Sequence, residues 1–61
     1  MDKNNCFVVE WWITHDWTEE GRYYFDNADE AEAFYSEKTL DDPDDWYIFE
    51  IKDGERVPFE F

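Results

Sequence analysis

Across Arg22-Tyr-Tyr-Phe25-Asp-Asn27-Ala-Asp-Glu30-Ala-Glu-Ala-Phe34-Tyr-Ser-Glu-Lys38 the chain changes period, and that change decides the fold. Arg22 to Phe25 is a short aromatic run of strand type. From Ala28 onward the apolar residues recur at helical spacing. Ala31, Phe34, Tyr35 and Lys38 fall on one face, and Asp29, Glu32, Ser36 and Glu37 look outward. Asn27 stands as the N-cap with Glu30 three residues on, a capping-box arrangement. Asp29 and Glu30 suit the positive end of the helix dipole, and Lys38 suits the negative end. The segment predicts a short amphipathic helix lying on a sheet.

Upstream, residues 7–14 (Phe-Val-Val-Glu-Trp-Trp-Ile-Thr) are rich in β-branched and aromatic types and predict a strand. Alternation places Phe7, Val9, Trp11 and Ile13 on one face, with Val8, Glu10, Trp12 and Thr14 on the other. A polar connection from His15 to Gly21 leads into Arg22–Phe25, which predicts an antiparallel hairpin with a loop longer than the tightest turns.

Downstream, Asp41-Asp-Pro43-Asp-Asp45 ends helical pairing at its proline. Trp46–Lys52 and Arg56–Phe61 predict a third and a fourth strand joined at Asp53-Gly54. A two-residue loop there pairs Ile51 with Arg56 and splits the apolar residues between faces. A three-residue loop with a G1 bulge at Gly54 pairs Ile51 with Glu55, Phe49 with Val57 and Tyr47 with Phe59, and sets Glu50 against Arg56. The second register unites the apolar set and is the one expected. It points Phe49 toward the helix, to be buried with Phe34, and leaves Trp12, Trp46 and Ile48 outward. Pro58 belongs on an edge strand. The expected fold is α+β, ββαββ: one domain over residues 1–61, a four-stranded antiparallel sheet with one helix packed on one face.

Eighteen carboxylates against five Lys and Arg give the 61 residues a formal charge of −13, yet fourteen residues are aromatic. Such charge density alone would favour disorder, and the rings supply the apolar area that overcomes it. The charge is larger than the magnitude of about 2–8 that serves a small domain. It attracts cationic partners and repels nucleic acid and membrane phosphates. The carboxylates gather at Asp16, Glu19 and Glu20, at Asp29, Glu30, Glu32 and Glu37, and at Asp41, Asp42, Asp44 and Asp45. Helical carboxylates recur about 5–6 Å apart, against one DNA charge per ~1.7 Å of axis. An acidic helix therefore presents a roughly phosphate-like field to a basic groove. Simple solvation of an aromatic-rich protein is the alternative reading of the same charge. Trp12, Trp46 and the loop residue Trp17 read as interface anchors on an open sheet face.

The sequence argues against catalysis and cofactors. His15 has no nucleophile placed beside it by a recognisable motif and reads as a surface residue next to Asp16. No Gly-rich phosphate loop is present, with Gly21 and Gly54 the only glycines. Asp41–Asp45 offers oxygen ligands of the kind calcium takes, but the sixth and twelfth positions of an EF-hand loop fall on Trp46 and Lys52, so no metal site is expected. Cys6, the single cysteine, reads as a small buried hydrophobe. Met1–Asn5 lacks the apolar region of a signal peptide, and no apolar run has membrane-spanning length, so a soluble cytoplasmic protein is expected.

In size, acidity and lack of catalytic apparatus the chain resembles the small phage-encoded inhibitors of host defence: anti-CRISPR proteins, anti-restriction proteins and uracil-glycosylase inhibitors. The resemblance is one of kind, with no shared motif, so no functional residues follow from it. It implies a cytoplasmic protein of the infected host that binds a basic, nucleic-acid-handling protein such as a CRISPR or restriction effector. Carboxylates would then stand in for phosphates. The alternative is a small acidic interaction module or homodimer that uses the open aromatic face. Neither reading involves direct contact with nucleic acid or membrane.

Overall fold

A computed structural model describes residues 2–13 and 15–59. Its elements are β1 (Asn5–Ile13), β2 (Thr18–Phe25), α1 (Ala28–Asp41), β3 (Trp46–Lys52) and β4 (Glu55–Pro58). The strands form one antiparallel sheet in the order β2-β1-β3-β4, with α1 on one face. The fold is α+β with ββαββ order, and β1 is central although it comes first in the chain.

The helix forms where its caps place it. Asn27 Oδ1 accepts the Glu30 backbone N–H at 2.8 Å, satisfying one of the first-turn amides that have no partner within the helix. Ala31 is fully buried against the sheet, and the Phe34 ring packs on Tyr23, Phe25 and Trp46 at centroid distances of 4.8, 5.3 and 5.9 Å. At the far end the Asp42 N–H bonds the Lys38 carbonyl, so the helix runs to Asp41 before Pro43 stops it. The second strand begins at Thr18, four residues before the expected Arg22. Its register with β1 slips between Trp11 and Trp12, which face Gly21 and Glu19, and Glu20 becomes the extra residue of a bulge.

The β3–β4 register is the one rejected above. Lys52 pairs with Glu55, Ile51 with Arg56, Glu50 with Val57 and Phe49 with Pro58. Asp53 (φ 53°) and Gly54 (φ 81°) both lie in the left-handed region, as a two-residue type I′ turn requires. Pairing the two hairpin strands through this turn satisfies their right-handed twist, and the apolar residues of β3 divide between the faces. The pairing of β3 with β1 sets Ile48 beside Val9 and Trp46 beside Trp11, so both lie on the helix side, where Trp46 stacks on Trp11 at 5.9 Å. Phe49 lies on the opposite face and is not packed against Phe34. Arg56 sits on the face away from Glu50, so that expected pair does not form. Phe59 packs edge-on against Phe7 at 5.7 Å rather than facing Tyr47. The expected continuations of the first strand to Thr14 and of the fourth through Glu60 and Phe61 lie outside the described residues. Pro58 is on an edge strand as expected.

A sheet with one helix has two unequal sides. Val9 and Ala31 are sealed between the layers. On the helix-free side Cys6, Val8 and Phe49 form a buried cluster flanked by Tyr24 and Ile51. Long side chains cover this cluster: the Nζ of Lys3, which precedes β1, lies 4.7 Å from the Tyr24 ring centroid, and the Arg56 guanidinium of β4 lies 3.9 Å from that of Phe49.

Candidate functional site

The helix-free face is organised by Glu10, the one charged residue in the apolar run from Cys6 to Ile13. Its position on the central strand buries it completely. A buried carboxylate needs partners, and the neighbouring strands provide them. Arg22 Nη2 on β2 is 2.7 Å from Glu10 Oε2 and 2.8 Å from Glu19 Oε1, and its Nε donates to both carboxylates at 3.0 Å. Trp12 Nε1 donates to Glu10 Oε1 at 3.3 Å, and Arg56 Nη2 stands 3.6 Å from the same oxygen. One carboxylate thus orients two guanidinium groups and an indole drawn from three strands.

The titration behaviour follows from this packing. The Arg22 guanidinium is held above its ordinary value, first by the Tyr24 side chain and then by Glu19 and Glu10. Glu19 titrates below its ordinary value, through its hydrogen bond with the Glu10 carboxyl and then through Arg22. The Cys6 thiol is pushed up by burial and by the charges of Asp2 and Asp26, which disfavours the reactive thiolate.

Beside this network Trp12, Trp17, Tyr47 and Arg56 line a shallow recess of about 280 Å³. Trp17 folds onto it from the β1–β2 connection with a backbone φ of 55° and remains 69% exposed. The expected anchors Trp12 and Trp17 therefore meet here. Trp46 does not join them, because its pairing with Trp11 across β1–β3 places it among the helix-side rings. Tyr47, expected on the helix side, and Arg56, expected outward but against Glu50, complete the recess. Glu10 was legible as a lone acid amid apolar residues, and its cross-strand partner Arg22 as a lone cation near aromatic ones.

The acidic residues lie elsewhere. Asp29, Glu30, Glu32, Glu37 and Asp41 are exposed along α1, and Asp44 is exposed in the turn after it. Asp42 and Asp45 are half-buried neighbours. Lost hydration, then the hydrogen bond and charge of Asp45, hold the Asp42 carboxyl above its ordinary value. The Asp45 carbonyl accepts the Trp12 N–H at 2.9 Å, which ties this acidic turn to the end of β1. Asp16 is exposed with His15 at 3.6 Å, and Glu20 projects from the bulge. Glu19 alone among the expected acidic residues belongs to the Arg22 network.

Charge is therefore distributed unevenly along the chain. Among the described strand residues of the helix-free side, two carboxylates, Glu10 and Glu19, meet Arg22 and Arg56, and Lys3 lies over Tyr24. Over residues 28–45, eight carboxylates meet only Lys38. Among the described residues no group of three or more His, Cys, Asp or Glu is placed to hold a metal ion. No described helix is long and apolar enough to cross a membrane. No known protein family, curated protein or solved structure matches this chain.

Proposed function

We propose that this protein is a non-catalytic inhibitor that binds a basic, nucleic-acid-binding protein, such as a CRISPR or restriction effector, through its helix side as a nucleic-acid mimic. One observation carries the reading: charge is segregated rather than spread. An acidic surface that served solubility alone would be under no constraint to gather eight of the eighteen carboxylates, with a single lysine, into residues 28–45. Here α1 and the following turn form a continuous acidic element with a single interrupting lysine. Both are fixed to the sheet, α1 by Ala31 and Phe34 and the turn by the Asp45–Trp12 bond, so the array is presented rigidly. A preordered array loses little entropy on docking into a cationic groove.

The test is a charge-neutralising series measured against the partner captured at low salt. Glu30, Glu32 and Glu37 changed to Gln, or Asp41, Asp42, Asp44 and Asp45 changed to Asn, retain side-chain size and remove the field. Association should slow by an order of magnitude or more and lose most of its salt dependence. DNA or RNA should displace the parent protein from the partner. Neutralised variants that bind as fast and as tightly as the parent would rule out mimicry.

A further inference from the structure

We infer that the recess between Trp12, Trp17 and Tyr47 seats the guanidinium of an arginine side chain from a partner protein. The chain's own cations show the chemistry that covers rings on this side of the sheet. The Lys3 ammonium lies 4.7 Å from the Tyr24 centroid, and the Arg56 guanidinium lies 3.9 Å from that of Phe49. A cation over an aromatic face is attracted by the ring quadrupole. Other rings cover one another: Phe7 packs on Phe59, and Trp11, Tyr23, Phe25, Phe34 and Trp46 pack together. Among the described residues, no cation lies over Trp12, Trp17 or Tyr47, and none of the three stacks on another ring. They line an open space of about 280 Å³ instead. Sites for drug-sized ligands run to roughly 300–1,000 Å³, so this one suits a single side chain.

The seat is built in advance. Trp12 Nε1 donates to Glu10 Oε1 at 3.3 Å, which fixes the indole and engages its positive edge. Glu10 is fully buried and cannot turn away. Trp17 holds a φ of 55°, which bulky residues rarely adopt, and keeps its indole 69% exposed at the recess. Arg56 forms one wall, but its charge is engaged by Glu10 at 3.6 Å and by the Phe49 ring. The recess is therefore not an anion site.

Charge and shape select the occupant. A formal charge of −13 gathers cations and repels anions. Exposed Asp16 precedes Trp17, and the Asp45 carbonyl accepts the Trp12 backbone N–H at 2.9 Å, so the recess adjoins two acidic segments. A quaternary ammonium is recognised by an aromatic cage, which a shallow recess does not provide. A guanidinium is planar and weakly hydrated and stacks flat on an aromatic face. The inference does not rest on nucleic-acid mimicry, since any partner that presents an arginine meets the same rings.

Nitrogen-15 NMR of the full chain in about 0.15 M NaCl, where long-range attraction is screened, tests it. The probes are N-acetyl-arginine amide, its citrulline counterpart (a neutral urea of the same shape) and its trimethyllysine counterpart. Arginine amide should shift the indole N–H signals of Trp12 and Trp17 and leave those of Trp11 and Trp46 in place. It should bind about tenfold tighter than citrulline amide, the difference a cation–π seat supplies. Trp17→Leu keeps the net charge and an apolar side chain, and should bring arginine down to the citrulline level. The variant with Glu30, Glu32 and Glu37 changed to Gln should still seat the probe, so mimicry and this seat can fail separately. Equal affinity for arginine and citrulline, or no loss on Trp17→Leu, would overturn the inference. So would equal shifts at all four indoles, or no shift at any. Tighter binding of trimethyllysine would reassign the recess to a quaternary ammonium and overturn the guanidinium.

Discussion

Glu10 and Arg22 are not equivalent halves of an ion pair. The Glu10 side chain is 1% exposed and that of Arg22 44%, and Arg22 has Glu19 as a second anion. Removing the charge from Glu10 therefore leaves a cation that is still paired and still hydrated. Removing Arg22 leaves a sealed carboxylate with Trp12 and a more distant Arg56. Glu10→Gln should cost about 2 kcal/mol, the value of charge-assisted hydrogen bonds. Arg22→Ala should cost about 3–5 kcal/mol, the penalty for an uncompensated buried charge. The second value is close to all the stability that one small core supplies. Urea denaturation of both variants checks the order, and a reversed order would refute this account of the network.

At the scale of the element, the Asp53-Gly54 turn sets the register of β4 against β3, while the pairing of β3 with β1 sets which side of β3 meets the helix. A Cβ added at Gly54 would meet Asn4 Oδ1 at 3.6 Å, an ordinary contact without a clash, so φ makes substitution costly. Gly54→Ala should lower stability by about 1 kcal/mol and Gly54→Asn by less, since asparagine tolerates the left-handed region. Equal losses for both, read from thermal melts, would show that space rather than φ governs the site. The turn also marks the limit of what was legible in the sequence. Strand and helix order, the Asn27 cap and the buried row of α1 followed from periodicity and capping chemistry, because one face of the helix is plainly polar. Trp46–Lys52 carries large apolar residues on both faces, so alternation there has no direction. Only the turn distinguishes the two registers. The preference for uniting apolar residues erred because the sheet buries a cluster on each side. Trp12 and Trp17 were expected on the open face and both line the recess, whereas Tyr47 was expected on the helix side because the faces of β3 were assigned the wrong way round.

For the whole molecule, pH and salt act through the same excess of carboxylates. Asp42 is raised in the folded state from its ordinary 3.8, so folding binds its proton more tightly and stability rises as pH falls through its folded value. Glu19 and Asp2 are lowered from 4.5 and 3.8, so their contributions are present above those values and are lost as pH falls through the folded ones. The melting temperature should therefore rise as pH falls through the raised value of Asp42 and drop again as it falls through the lowered values of Glu19 and Asp2. Added NaCl should raise it at neutral pH and have less effect at the acid maximum, where fewer charges remain to repel. A melting temperature that falls steadily from neutrality, with no salt effect, would contradict a structure dominated by self-repulsion. The strand order has a further consequence, for the chain during synthesis. Because β1 is central but made first, the β1–β2 hairpin leaves the ribosome with one edge of β1 bare until β3 follows. At about 5–20 residues per second that delay lasts a few seconds. An apolar strand with an unpaired edge is a template for pairing between nascent chains. Glu10 interrupts that strand at its midpoint, so the residue that later orients Arg22 and Arg56 first serves as a gatekeeper against aggregation.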